Sequence, residues 1–226
     1  MIDDDTNKDL WPEQPLNLFT EDGPWKAHAN IGWIYQGWRL STWNSITDAY
    51  EGCATELIRS VESGQLMPDF AFFPLVHLWR HYLELALKSI IATGKVLEGE
   101  EAKFPHGHNL MKLWEGARRV LEKHEVSIKE LDNVAPLLEQ LSQIDPTHTG
   151  FRYAFRQDGK TPGLEGIPMG FNLVGLHNAM KSAARFFGGC AGHLEHIQDC
   201  QQYEREYAED YTSDYEGGWN DEGDYD

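Results

Sequence analysis

Five ionisable side chains interrupt the otherwise apolar stretch between Phe70 and Ile91: His77, Arg80, His81, Glu84 and Lys88. On a helix, His77, His81, Glu84 and Lys88 fall within about 60° of one another, and Arg80 lies at the edge of that strip. Charged groups on a helix that is apolar on its other sides must be paired, hydrated at a cleft, or engaged by a ligand. Three chemistries fit. Glu84 can ladder to Arg80 at i−4 and to Lys88 at i+4, holding the helix in register. The stripe can instead take an anion or a reacting phosphodiester, with Arg80 and Lys88 for charge and His81 for proton transfer. A metal at His77, His81 and Glu84 is the third, and its fourth ligand must come from another helix.

Other groups could join such a site. Arg152, Arg156 and Lys160 recur every four residues with Tyr153 and Phe155 between them. That mixture suits phosphate contact and base stacking; the plainer reading has Arg152 tie its loop to a bundle acid such as Asp145. His106 and His108 straddle Gly107 where a helix should begin, so capping or packing is their simplest role. Cys190, His193, His196 and Cys200 share one helical face, but a single straight helix rarely wraps a tetrahedral ion.

The elements that must position these groups read as helices. Trp43, Ile46, Ala49, Tyr50, Cys53, Leu57, Ile58 and Val61 follow the amphipathic rule and predict a helix over 41–63. The second helix spans 70–93 and should stop at Gly94. The third runs over 109–124 with Leu110, Leu113, Trp114, Ala117, Val120 and Leu121 inward. Ser127 to Glu130 reads as a capping box opening a fourth helix to about Ile144, in which Pro136 should force a bend. Residues 146–171 hold three prolines and five glycines, a long loop of the kind that is usually functional. The fifth helix starts near Asn172, should break at Gly188-Gly189, and resumes to about Tyr207. No convincing strand pattern or repeat occurs, so the expected class is all-α, a helical bundle with long irregular connections.

Charge is unevenly spread. The chain of 226 residues has a formal net charge of −18, yet residues 203–226 carry ten acids against Arg205 alone. Residues 1–25 carry seven acids against Lys8, which leaves the body nearly balanced. Acidic ends on a neutral body do not argue against a nucleic-acid substrate. Residues 1–40, rich in Trp and Pro, read as an arm packed by its aromatics; 41–202 as the helical domain; 203–226 as a disordered acidic tail in which Tyr203, Tyr207, Tyr211 and Tyr215 recur every four residues. The longest nearly apolar run, 70–79, is too short to span a bilayer, and the acidic start lacks the features of a secretion signal. Three cysteines cannot make a disulfide framework, so a reducing cytoplasm is the expected compartment.

Arg80-His81 followed by Glu84-x-x-x-Lys88, then Gly107-His108-Asn109-Leu110, then Phe151-Arg152-Tyr153 resembles, in order and spacing, the bacterial HEPN domain superfamily. The resemblance covers about residues 41–200. It implies an antiparallel helical bundle, usually a homodimer. Many such proteins are metal-independent ribonucleases of toxin–antitoxin, CRISPR or anti-phage systems. Others have no catalysis and bind nucleotides or partners. Nucleolytic members carry Arg-x4–6-His near the start of the last core helix. Here Arg185 and His193 are too far apart, and the literal match, Arg119 to His124, falls on the third helix. On this resemblance the catalytic role belongs to Arg80, His81, Glu84, Lys88 and Arg152, with His77, His108, Tyr153, Arg156 and Lys160 binding RNA and no cofactor or metal required. The alternative is a non-catalytic module, antitoxin-like or regulatory, that meets a protein partner through its acidic tail.

Overall fold

A computed structural model describes Ala29 and residues 39–145, 150–153, 155, 158–162, 170 and 172–216. The chain divides into Met1–Trp33 and Ile34–Asp226. Of the first unit only Ala29 is described, so the expected Trp- and Pro-rich arm lies outside the described residues. The described residues of the second unit form five helices: α1 (Arg39–Glu62), α2 (Pro68–Leu97), α3 (Leu110–Lys123), α4 (Ile128–Ile144) and α5 (Leu173–Glu216). Among the described residues there is no strand, only an isolated bridge between Phe155 and Pro162. The all-α class holds. No helix among them is long and apolar enough to cross a membrane.

α2 is the centre of the bundle. Pro68 stands in its first turn, where a missing N–H costs nothing, Asp69 complements the helix N-terminus, and Lys95 the C-terminus. Leu75, Trp79, Leu83, Leu87 and Ile90 are fully buried. Burial on nearly every side is what an all-round apolar helix requires.

Paired contacts fix the directions of its neighbours. Trp43 Nε1 donates to the Leu85 carbonyl at 2.9 Å; Ser89 Oγ donates to Asn44 at 3.0 Å while the Tyr50 ring meets His81, so α1 runs antiparallel to α2. Trp79 Nε1 donates to His177 Nδ1 at 3.3 Å and Tyr82 to the Ala184 carbonyl at 3.2 Å, so α5 runs with α2. The linker 98–109 carries the chain back along α2 before α3 begins, and α3 therefore also runs with it. Trp43 stacks on Phe104 of that linker at 3.9 Å between centroids. α4 returns antiparallel to α3, with Arg118 paired to Asp132 at 2.8 Å. The bundle is thus of mixed direction rather than uniformly antiparallel.

Four local expectations are corrected. α2 does not stop at Gly94 but continues to Leu97. Gly94 is needed for approach instead: a Cβ there would stand 2.6 Å from Val120 of α3, and one at Gly116 would stand 2.9 Å from Ile91. Ser127 makes no side-chain cap bond, although α4 starts where expected and continues through Pro136. α5 passes unbroken through Gly188-Gly189. It also runs to Glu216, so the acidic stretch is helical there rather than disordered from Tyr203, and residues 217–226 lie outside the described residues. α3 and α5 do begin at side-chain caps: Asn109 accepts from the Lys112 N–H at 2.9 Å and Asn172 from the Gly175 N–H at 3.0 Å.

The Gly94 contact generates a stability prediction. Gly94→Val should destabilise the fold by about 1–3 kcal/mol, because Val120 is β-branched and stiff at the point of contact. Adding Val120→Ala should recover part of that loss. Denaturant melts of the two single variants and the double variant measure the coupling.

Candidate functional site

The polar strip of α2 opens into a cavity of about 190 Å³ lined by Tyr50, His77, Arg80, His81, Glu84, His108 and Arg152. Three segments far apart in sequence meet there. α2 supplies the strip, the end of the 98–109 linker supplies His108, and the turn after α4 supplies Arg152. α1 closes one wall: the Tyr50 ring meets His81 edge-on, 4.5 Å between centroids. His77 lies one turn before His81, with ring centroids 6.3 Å apart.

Glu84 is the hub. It is only 3% exposed, and one carboxylate oxygen accepts from Lys88 Nζ at 2.9 Å and stands 2.7 Å from His108 Nδ1. Its other oxygen is 3.4 Å from Arg80 Nη1. Burial alone would raise the Glu84 pKa, but the hydrogen bonds and charges of Lys88 and His108 outweigh it and hold the group below its usual 4.5. Glu84 is therefore ionised at neutral pH. With His108 Nδ1–H donated to that anion, Nε2 is the ring nitrogen left to exchange a proton with a ligand.

Arg80, also buried, is the second node. Its Nη2 donates to the His108 carbonyl at 2.7 Å, and its Nε stands 3.7 Å from Asp145, the residue that ends α4. Asp145 also accepts from the Gly150 N–H at 3.0 Å, which anchors the segment carrying Arg152. Burial lowers the Arg80 pKa, opposed by Glu84 and Asp145, and a guanidinium so paired remains charged. Both ends of the site thus hang on α2: His108 through Glu84 and Arg80, Arg152 through Arg80 and Asp145.

Burial lowers the pKa of His77, helped by the charges of Arg152 and Arg80. His81 is lowered by burial and by His77, Lys88 and Arg80, against the opposing pull of Glu84. Near pH 7 both rings are neutral and able to accept a proton.

Of the residues singled out by sequence, His77, Arg80, His81, Glu84, His108 and Arg152 line one cavity, and Lys88 lies behind Glu84. The Arg80–Glu84–Lys88 ladder is present as pairs, so these three brace the site and the histidines and Arg152 face it. Tyr153 and Lys160 are exposed on the following loop and do not line the cavity. Arg156 lies outside the described residues. Tyr50 was hidden in the sequence among the apolar positions of an amphipathic helix. Asp145 was expected as an acid for Arg152; its pairing with Arg80 had no signal in the sequence.

The remaining candidates gather only as one pair, Cys200 Sγ standing 3.8 Å from His196 Nε2. Cys190 is buried and its thiol is pushed up to about 11 by burial, while Cys200 is exposed. His193 bonds to the His124 carbonyl at 2.9 Å rather than to the cysteines. Arg119 is exposed on α3, and neither it nor His124 lines the cavity. Among the described residues no three His, Cys, Asp or Glu side chains are arranged to hold a metal ion.

Fold and site define an all-α bundle with a histidine-lined, cation-rich cleft braced by one buried carboxylate. No known protein family, curated protein or solved structure matches this chain.

Two stability predictions follow from the network. Glu84→Gln should cost about 3–5 kcal/mol in a denaturant melt, because Lys88 would remain buried without its anion and Arg80 would be left with Asp145. The histidines set a pH dependence. His77 and His81 bind protons more weakly in the fold than in the unfolded chain, whose ordinary value is 6.5. Their contribution is full above pH 6.5 and is lost as pH falls through that value toward their folded pKa. Glu84, depressed below 4.5, adds a further loss under pH 4.5. Comparing wild type with His81→Leu at pH 7.5 and 5.5 isolates the first term: the variant should lose less stability on acidification, and equal losses would contradict the assignment.

Proposed function

We propose that this cleft is the active site of a metal-independent endoribonuclease, a HEPN-like, toxin-like or anti-phage effector. The observation that carries the reading is the 2.7 Å contact of His108 with buried Glu84 beside His81 and Arg152 on one cavity. Phosphodiester transesterification needs a base, an acid and a cation around one phosphate. His81, neutral near pH 7, takes the proton of the 2′-hydroxyl. The 2′-oxygen attacks the adjacent phosphorus, and the 5′-oxygen leaves with the Nε2 proton of an imidazolium His108, which is left as the neutral ring with Nδ1–H on Glu84. Arg152, with Arg80 behind it, stabilises the charge of the phosphorane. Glu84 positions His108, and Lys88 keeps Glu84 ionised. The motif resemblance, with its implied homodimer, adds RNA as the substrate; the site chemistry supports a phosphodiester.

In EDTA, the purified protein should cleave single-stranded RNA or tRNA and leave 2′,3′-cyclic phosphate ends. His81→Ala and His108→Ala should each lower the single-turnover rate by about 10²–10⁴-fold while the melting temperature stays near wild type. A folded wild-type protein inert on both RNAs would contradict the proposal. That result would favour a non-catalytic binding module, the reading supported by the pairing of Arg80 to groups of the protein itself.

A further inference from the structure

α2 is buried along most of its length, yet two of its early aromatics are not: Phe70 is 70% exposed and Phe73 is 47% exposed. At 3.6 residues per turn, Phe70, Phe73, His77, His81, Glu84 and Lys88 fall on one strip about 80° wide. The exposed aromatics are therefore the direct continuation of the histidine stripe toward the helix N-terminus. Phe73 precedes His77 by one turn, a rise of about 6 Å.

The loop that supplies Arg152 adds to this rim. Phe73 meets Phe72 at 4.9 Å between centroids, and Phe72 meets the buried Phe151 at 6.0 Å. The next residue is Arg152, whose guanidinium stands 5.7 Å from the ring of Tyr153. Tyr153 and Phe155 are each more than half exposed. Beyond them, Asp158 caps a turn by accepting from the Lys160 and Thr161 N–H groups at 2.9 Å each. Phe73, one turn before His77, and Tyr153, beside Arg152, thus present solvent-facing rings next to two residues that line the cavity.

Exposed aromatics of this number mark an interaction surface, and their company selects the partner. A protein or membrane partner for an apolar patch has no need of a cation-rich cleft at its edge. Unpaired nucleobases do: their phosphates want the cations, and each base has a face that stacks on an aromatic ring whatever its identity. A duplex keeps its bases stacked on one another and offers these rings nothing. We infer that Phe70, Phe73 and Tyr153 form a stacking platform for the unpaired bases flanking the phosphate held in the cleft, which makes the substrate a single strand. This rests on the cleft as a phosphodiester site and deepens that reading by assigning the strandedness of the substrate and the residues that select it.

The test is anisotropy binding of a fluorescent 2′-O-methyl oligouridylate 12-mer, which lacks the attacking hydroxyl and stays intact. Its duplex with the complementary 2′-O-methyl oligoadenylate is the control. Wild type should bind the single strand at least about tenfold tighter than the duplex. Phe73→Ala and Tyr153→Ala, both surface changes, should each weaken single-strand binding by at least about fivefold and leave duplex binding unchanged. Equal affinity for the two forms, no binding by wild type, or full single-strand affinity in both variants would overturn the inference. So would a change of oligomeric state in the variants without a change in RNA affinity, which would make the rim a protein interface. Cleavage of a dinucleoside monophosphate separates the two readings. Aromatic-dependent binding without cleavage removes the nuclease assignment alone, and cleavage without aromatic-dependent binding removes this inference alone.

Discussion

One buried carboxylate organises the site. Glu84 lies inside a helix that is apolar on its remaining sides, where an isolated anion would be prohibitively costly. Lys88 and Arg80 on the same helix, and His108 from a linker, make it tolerable. The dependence runs both ways. Lys88 and Arg80 are buried beside Glu84, so removing the carboxylate leaves Lys88 without an anion and Arg80 with Asp145, while the exposed His108 ring loses only its orientation.

The mixed directions of the helices serve this arrangement. Had the chain turned tightly after α2, the third helix would have run back antiparallel and no linker would pass the middle of α2. The 98–109 segment instead traverses the helix face and delivers His108 beside Glu84. The close approach of α2 and α3 at Gly94 and Gly116 follows from the same path. α4 then returns its last residue, Asp145, to Arg80. Two connections end on two adjacent turns of one helix, which is how residues from three segments come to share one small cavity.

Much of this was legible in the sequence, for identifiable reasons. Apolar periodicity located α1 and α3 because each buries a face, α4 was placed by a capping box that did not form, and the stripe on α2 stood out because charge is conspicuous in an apolar setting. The gathering of His108 and Arg152 with that stripe came from motif resemblance, since spacing along a chain says nothing about which linker crosses which helix. Glycine misled twice. Gly94 served close packing and Gly188-Gly189 sat inside a continuous helix, where sequence rules read helix ends. Tyr50 was missed because a tyrosine on an amphipathic helix has a sufficient local explanation, and Asp145, expected as an acid for Arg152, was not foreseen as a partner of Arg80.

The exposed aromatics on the first turns of α2 give the helix its second character. Its middle braces a charged cleft, and its N-terminal turns present rings to solvent along the same strip. The central claim is that Glu84 fixes the His108 ring for proton transfer at Nε2. The most direct measurement is the imidazole ¹⁵N–¹H correlation spectrum of His108 in the wild-type protein at a pH where the ring is neutral. The account predicts the Nδ1–H tautomer, with that proton donated to Glu84. An Nε2–H tautomer, with Nδ1 bare against the carboxylate, would contradict it.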